Sequence, residues 1–345
     1  MPTPEQLSER ELKVLEAVVQ TYIETAEPAG SQTIARRFGL GVSAATIRNT
    51  MSELEDKGYL FHPHTSAGRI PTDRAYRVYV NEIMRLAPPS REARHALHTE
   101  LLAGRNAVEE ILRRAAQVLG VLTQELGMAV APALDELVIE RLELVAVSSE
   151  RLLLVFNLRS GLVRTIFVEV PGRVPAETIH DVSRVLNERL AGHTLQQIRA
   201  TLPERLRDAA SGTGGRELLN IFIAEGEEIF GLADDRNAVV LGSAQMLADQ
   251  PEFASNSRMR ELLLLTEGRD LLKQALASRR ETGVAITIGG ENPDSRLSGF
   301  TLVTASYEAG ALKGVIGVMG PTRMPYDKII GLVEHTSRLV EDLLE

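Results

Sequence analysis

The sequence predicts an α+β multidomain chain that begins with a winged helix-turn-helix. Residues 28–71 carry two short helical patterns, each opened by a Ser, joined by the turn Gly39-Leu40-Gly41-Val42. A hairpin-like segment with two His and an Arg follows them, the order of a helix-turn-helix with a β-wing. Further on, strand patterns lie on both sides of a long helical stretch. That order reads as one α+β domain with another inserted into it. At 345 residues the chain is long enough for two or three domains with buried cores.

The elements follow from local signals. Ser8 with Glu11 forms a capping box, and Leu12, Leu15, Val19 and Tyr22 then repeat at helical spacing until Pro28 and Gly30. Ser31 opens a second helix with Ile34 and Phe38 inward. Ser43 opens a third, which ends at Lys57-Gly58. Tyr59 to His62 reads as a strand, residues 63–68 as its turn, and Arg69-Ile70 as the return. Pro71-Thr72 starts a fourth helix with Tyr76, Val80 and Ile83 on one face, and Ala87-Pro88-Pro89-Ser90 reads as a linker. A DNA-binding domain is therefore expected over residues 1–86.

After the linker, helical patterns run to about Leu126, with a break at Gly104-Arg105-Asn106. Strand patterns cover Val138–Val147, Leu152–Leu158 and Leu162–Val170. Helical signals return from Pro171 to about Phe253, broken at Ser211–Gly215. Strands are expected at Val284–Ile288, Phe300–Tyr307 and Leu312–Met319, and a closing amphipathic helix from Pro325 to Leu344. These patterns place a discontinuous α+β domain at 91–171 and 256–345, with an inserted domain at 172–255.

On a helical wheel the third helix separates cleanly. Ile47, Thr50, Met51 and Leu54 share one side, and Ala45, Arg48, Asn49 and Ser52 the other. Arg48 can pair with N7 and O6 of guanine, and Asn49 with N6 and N7 of adenine. Ala44 and Ala45 are small enough for close approach to the groove floor. Ser43 and Thr46, at the helix N-terminus, can reach phosphates. On the wing, His62, His64 and Arg69 suit a phosphate or the minor groove. A His-x-His pair can hold a metal, but no further ligand is close by and the chain has no Cys, so no metal is expected.

The net charge of −9 argues against nucleic acid until position is considered. From Ile34 to Arg85 there are eight Lys/Arg against five Asp/Glu, whereas residues 1–33 hold two basic and six acidic groups. The candidate DNA surface is mildly basic within an acidic chain, which limits non-specific binding. The absence of Cys excludes disulfides and thiol chemistry and fits a reducing cytoplasm. The first residues lack the apolar core of a secretory signal. No uncharged apolar run is long enough to cross a membrane.

Enzyme signatures are missing: no G-x-S-x-G, H-E-x-x-H, Walker A or EF-hand loop occurs. Gly314, Gly317 and Gly320 sit in an apolar strand pattern and read as tightly packed backbone. His180, His193 and His335 stand apart in the sequence and read as structural or surface residues. No cofactor is expected.

The run from Ser43 to Val80, above all Pro63 to Pro71 (PHTSAGRIP), resembles the HrcA family of bacterial heat-inducible transcription repressors. Ile288–Asn292 (IGGEN) and Gly320–Tyr326 (GPTRMPY) are similar to that family's other signatures. The resemblance implies a homodimer with a winged-helix domain, a GAF-like domain and an inserted dimerisation domain. It implies double-stranded DNA as partner, in the form of an inverted-repeat CIRCE operator upstream of chaperone operons, and a GroEL-type chaperonin that keeps the repressor active. It adds Thr65 and Ser66 to the contacts expected at Ser43, Thr46, Arg48, Asn49, His64 and Arg69. Two other readings remain open: a winged-helix regulator whose GAF-like domain binds a small effector, and an enzyme with an appended DNA anchor.

Overall fold

The computed structural model describes residues 7–64, 68–103, 108–131, 137–159, 163–209, 213–230, 239–279, 283–309 and 312–344. The chain divides into two compact units. The first comprises Met1–Val130, Val239–Tyr307 and Val315–Leu344, and the second Ala131–Ala238 with Glu308–Gly314 and Glu345.

The first unit opens with α1 (Glu9–Thr25), α2 (Ser31–Phe38) and α3 (Ala44–Asp56), then β1 (Leu60–Phe61), β2 (Ile70–Pro71) and α4 (Asp73–Val78). The capping box at Ser8 and Glu11 is present, and Ser43 caps α3 by accepting from Thr46 N. At α2 the cap position falls on Gly30, and Ser31 is already helical. Ile34 is buried there, but Phe38 is only half-buried. The expected fourth helix is α4, capped by Thr72, and it continues as a π-helix over Tyr79–Ile83. The wider turn rotates the inward face, so Tyr76 and Tyr79 are buried while Val80 and Ile83 are partly exposed.

Next come α5 (Arg91–Leu102), α6 (Val108–Thr123) and β3 (Leu126–Val130); after the second unit the chain returns in β7 (Val239–Leu241) and α11 (Gln245–Ala248). It continues through α12 (Asn256–Glu267), α13 (Arg269–Ala277), β8 (Val284–Ile288), β9 (Phe300–Ala309), β10 (Leu312–Pro321) and α14 (Tyr326–Leu344). The five strands form one sheet in the order β7-β3-β10-β9-β8. Pairing is antiparallel for β3 with β7, β3 with β10 and β8 with β9. Its core joins Leu126, Met128 and Val130 to Phe300, Leu302 and Val315, and to Leu272 and Leu276 of α13. The glycine run at 314–320 lies inside β10, a strand as expected.

The second unit holds β4 (Ile139–Ala146), β5 (Arg151–Leu158) and β6 (Val163–Glu169), then α7 (Ala176–Leu190), α8 (Leu195–Leu206), α9 (Thr213–Ala224) and α10 (Gly226–Ile229). The strands form their own antiparallel meander in the order β4-β5-β6. Their inward residues Leu142, Leu154, Phe156 and Val168 pack with Leu186, Ile198 and Phe222 of the helices.

The expected boundaries change accordingly. The sequence patterns place the strands at 139–169 in the discontinuous domain, but they pair among themselves and share a core with the helices that follow. The insertion therefore runs from 131 to 238 rather than from 172 to 255. Both its ends leave from paired strands, since Val130 is opposite Val239; the insertion occupies the place of a hairpin turn. The break expected at Ser211–Gly215 falls partly outside the described residues, and Gly214 and Gly215 are in α9.

The linker at Ala87–Ser90 does not separate the first 86 residues into a unit of their own. Ala87 N donates to Asp327 O at 3.2 Å. Arg77 pairs with Glu291, its Nε donating to Oε1 at 2.8 Å. Its Nη2 also donates to Ile286 O at 2.8 Å. Gly290 N donates to Asp73 Oδ2 at 2.9 Å. Gly289 has φ +53°, and a Cβ there would strike the Asp73 carboxylate, so no other residue fits. Tyr76 stacks obliquely on Tyr326 with ring centroids 5.8 Å apart. Arg323 donates to Ile23 O at 2.8 Å and pairs with Glu252 at 2.5 Å. The two C-terminal signature runs, 288–292 and 320–326, thus hold α1 and α4 onto the sheet.

Two stability predictions follow from these contacts. Glu291→Gln removes the charge that faces Arg77. Hydrogen exchange of the amides at 73–83 should speed by about tenfold, equivalent to about 1.4 kcal/mol of local stability; unchanged exchange there would show that the pair does not hold α4.

Glu11 is buried at 5% exposure and meets Lys57 Nζ at 2.9 Å. Burial alone would raise its pKa, but bonds from Lys57 and Ser8 outweigh that and hold the carboxyl down at about 2. A carboxyl depressed in the folded state stabilises it above the unfolded value, near 4.3, and the gain fades as pH falls toward 2. Glu11→Gln should therefore cost about 1–2 kcal/mol in urea unfolding near pH 7. The gap to the parent should narrow from about pH 5 downward and close only near pH 2; a constant gap would assign the loss to packing.

Candidate nucleic-acid interface

The wheel drawn from the sequence matches the burial of α3. Ile47, Thr50, Met51 and Leu54 are buried, and Ala45, Arg48, Asn49 and Ser52 are exposed. The apolar side packs on α1 and α2, which fixes the opposite face outward. Neither Arg48 nor Asn49 has a side-chain hydrogen bond or ion pair with another described residue. Ser43 is exposed at the helix start, and its Oγ lies 2.9 Å from Thr46 Oγ1. Two hydroxyls and the first free N–H groups of α3 therefore meet at one point, a geometry that accepts an anionic oxygen.

Behind α3, β1 and β2 pair antiparallel, with Leu60 opposite Pro71 and Phe61 opposite Ile70. Arg69 extends this ribbon by exchanging backbone hydrogen bonds of 2.9 and 3.0 Å with Ala29, between α1 and α2. Gly68 backs directly onto the Ala29 carbonyl, where a Cβ would collide. The glycine of the PHTSAGRIP run is thus needed for the hairpin to close against the helices. His64 is exposed near the tip. Thr65 and Ser66 lie outside the described residues.

Two residues of the hairpin have partners within the protein. Arg69 is turned inward: its side chain is 13% exposed and its Nη2 pairs with Glu55 Oε2 at 2.8 Å. His62 Nδ1 lies 2.5 Å from the other oxygen, Glu55 Oε1. Glu55, on the last turns of α3, therefore braces the hairpin against that helix through both of its oxygens. Sequence reasoning passed over it, although a signal was present. Glu53, Glu55 and Asp56 crowd the C-terminal end of α3, where the helix dipole disfavours acids. Carboxylates at that end call for cationic partners. Glu53 lies 3.8 Å from Arg10, and Arg74 donates to Lys57 O at 2.9 Å while lying over the Tyr59 ring.

The outward face of α3 presents Arg48 and Asn49, exposed and without a side-chain partner among the described residues. Among the described residues no group of His, Asp or Glu could hold a metal ion. No described helix is long and apolar enough to cross a membrane.

Comparison with known proteins agrees with this geometry. Residues 109–330 match the family model described as HrcA protein C terminal domain. The chain is 37% identical over 340 residues to the heat-inducible transcription repressor HrcA of Chlorobium phaeobacteroides (strain BS1), covering 95% of this chain and 96% of the relative. It is 36% identical over 347 residues to the protein of that name from Desulforudis audaxviator (strain MP104C), covering 98% of each. A crystal structure of a hypothetical protein, 24% identical, shares the fold with a TM-score of 0.69 over 98% of this chain and 99% of its own. The curated relatives are named as repressors and not as enzymes. With the family model over more than half its length and such relatives nearly end to end, the chain belongs to the HrcA family of heat-inducible transcription repressors.

Proposed function

We propose that the chain works as a homodimer that represses chaperone operons by occupying an inverted-repeat, CIRCE-type operator in duplex DNA. The observation that carries this reading is the free face of α3, with Ala45, Arg48 and Asn49 exposed beside a braced hairpin. In this reading α1 to α4 with the hairpin form a winged helix, and α3 enters the major groove. Arg48 and Asn49 read base edges, and Ser43 and Thr46 hold phosphates. His62, His64, Thr65 and Ser66 approach the adjoining backbone or minor groove. Arg69 keeps the hairpin in place through Glu55, and it reaches DNA only by giving up that pair.

The five-stranded sheet with its helices supports the GAF-like assignment, and the inserted unit supplies the dimer contact. One face of β4-β5-β6 covers the helices. On the other, Val145, Leu153 and Phe167 stand in one cross-strand row, with Val145, Val163 and Phe167 about half-exposed or more. An apolar sheet face of this kind matches itself across a two-fold axis. Modulation by a GroEL-type chaperonin and a cytoplasmic location rest on the family resemblance.

A second reading, a small effector acting on the sheet domain, is favoured by one cavity. It measures about 280 Å³ and is lined by Asp73, Glu252, Arg258 and Phe300 among others, so an occupant would touch the residues that hold α4. A ligand at 100 times its dissociation constant should add about 2.7 kcal/mol in thermal-shift screening.

The operator reading is tested by titrating the protein on the inverted repeat that precedes the chaperonin operon of the source genome. Arg48→Ala should weaken binding by about 1–3 kcal/mol and relax the preference at one base pair per half-site. Unchanged affinity and footprint would remove α3 as the reading helix. Phe167→Glu should sediment as a folded monomer and lose about 10²–10⁴ in operator affinity, because the second half-site is no longer delivered at high local concentration. A variant that stays dimeric would move the contact off this sheet face.

A further inference from the structure

We propose that the groove between α5 and α14 is a binding site for a small multivalent phosphoryl anion, separate from the DNA-reading face. The groove has a volume of about 360 Å³ and is lined by Arg91, Arg94, His95, His98, His335 and Leu339. Residues 91, 94, 95 and 98 share one face of a helix by spacing alone. The fold brings His335 of α14 to that face, although it stands far away in the sequence. The lining holds two guanidiniums, three imidazoles and no carboxylate, in a chain whose net charge is −9.

Three features favour an anion. Arg91, Arg94, His95 and His98 have no ion pair or side-chain hydrogen bond with another described residue. Arg91 and Arg94 belong to the first turns of α5, where cations oppose the helix dipole. The neighbouring acid Glu334 is already paired with Arg338. A metal ion fits poorly, because the two guanidiniums repel it and no metal-holding group occurs among the described residues. A phosphoryl group accepts forked bonds from Arg and single bonds from imidazolium. The groove is large enough for two or three linked phosphoryl groups rather than a single ion.

Proton linkage gives a signature. His335 is held below its ordinary range by burial, then by the nearby Arg94 and Arg338, which outweigh Asp342. A bound polyanion offsets those two cations and draws a proton onto the ring. Binding should therefore take up protons and tighten as pH falls.

The test is calorimetric titration of the full chain with sodium tripolyphosphate, near pH 6.5 and near pH 8, in buffers of different ionisation heat. One site per chain is expected, tighter at the lower pH and with net proton uptake. R91A/R94A, two changes at exposed positions, should weaken binding by about tenfold or more and leave operator affinity unchanged. His335→Gln, checked for folding by circular dichroism, should lower the proton uptake per anion bound; should it fail to fold, Arg94→Gln, which removes one of the cations that hold the His335 pKa down, should lower it as well. Absence of binding at millimolar tripolyphosphate would overturn the proposal. Equal affinity in R91A/R94A would also overturn it, by placing the anion elsewhere. A loss of operator affinity in that variant, with a shallower salt dependence, would make the groove part of the DNA surface and equally overturn it.

Discussion

The fold of the first unit depends on how α4 meets the loop after β8. Asp73 and Arg77 lie one helical turn apart, so both face the backbone of residues 286–291. Asp73 accepts from Gly290 N, and Arg77 spans Glu291 and Ile286 O. This works only because Gly289 takes φ +53° and carries no side chain. Arg323 closes the second side by joining Ile23 O to Glu252. These are charge-assisted bonds with partly buried partners, which makes them strong and directional. An apolar contact of equal area would tolerate sliding; this one fixes the orientation of α4, and through the shared helix core that of α3.

The exposed face of α3 was legible in the sequence because it rests on local periodicity. A helix with Ile47, Thr50, Met51 and Leu54 on one side can bury only that side, so Arg48 and Asn49 had to point out. The caps at Ser8 and Ser43 were legible for the same reason, each being a signal within four residues. What periodicity cannot report is a pairing between elements. Glu55, Arg69 and His62 each look like solvated surface residues until the hairpin folds back on α3. The close approach at Gly68 likewise depends on Ala29, which belongs to a different loop.

Domain assignment failed where it relied on adjacency. The strands at 139–169 are real, and their limits lie close to the expected ones. Their alternating burial shows a face toward a core, but alternation does not say which core. Short joints at 147–150 and 159–162 let the three strands pair with one another, which makes a self-contained meander. Two strands escaped notice. Leu126–Val130 is buried at every position, so it lacks alternation and merges with the preceding helix pattern. Val239–Leu241 is only three residues long. Those two strands form the hairpin that the insertion interrupts.

The position of Glu55 also constrains what the hairpin can do. A cationic residue on such a hairpin can bind an anion or anchor the hairpin to the protein, and one guanidinium serves a single carboxylate or phosphate fork at a time. Arg69 is nearly buried, and its Nε has no hydrogen-bond partner, an arrangement with a desolvation cost that the Glu55 pair has to offset. Releasing Arg69 toward DNA would leave Glu55 with His62 alone and would loosen the hairpin that positions His64. The arrangement therefore favours a division of labour. Arg69 and His62 hold the hairpin against α3 through Glu55, and the outward positions of α3 and His64 are left exposed.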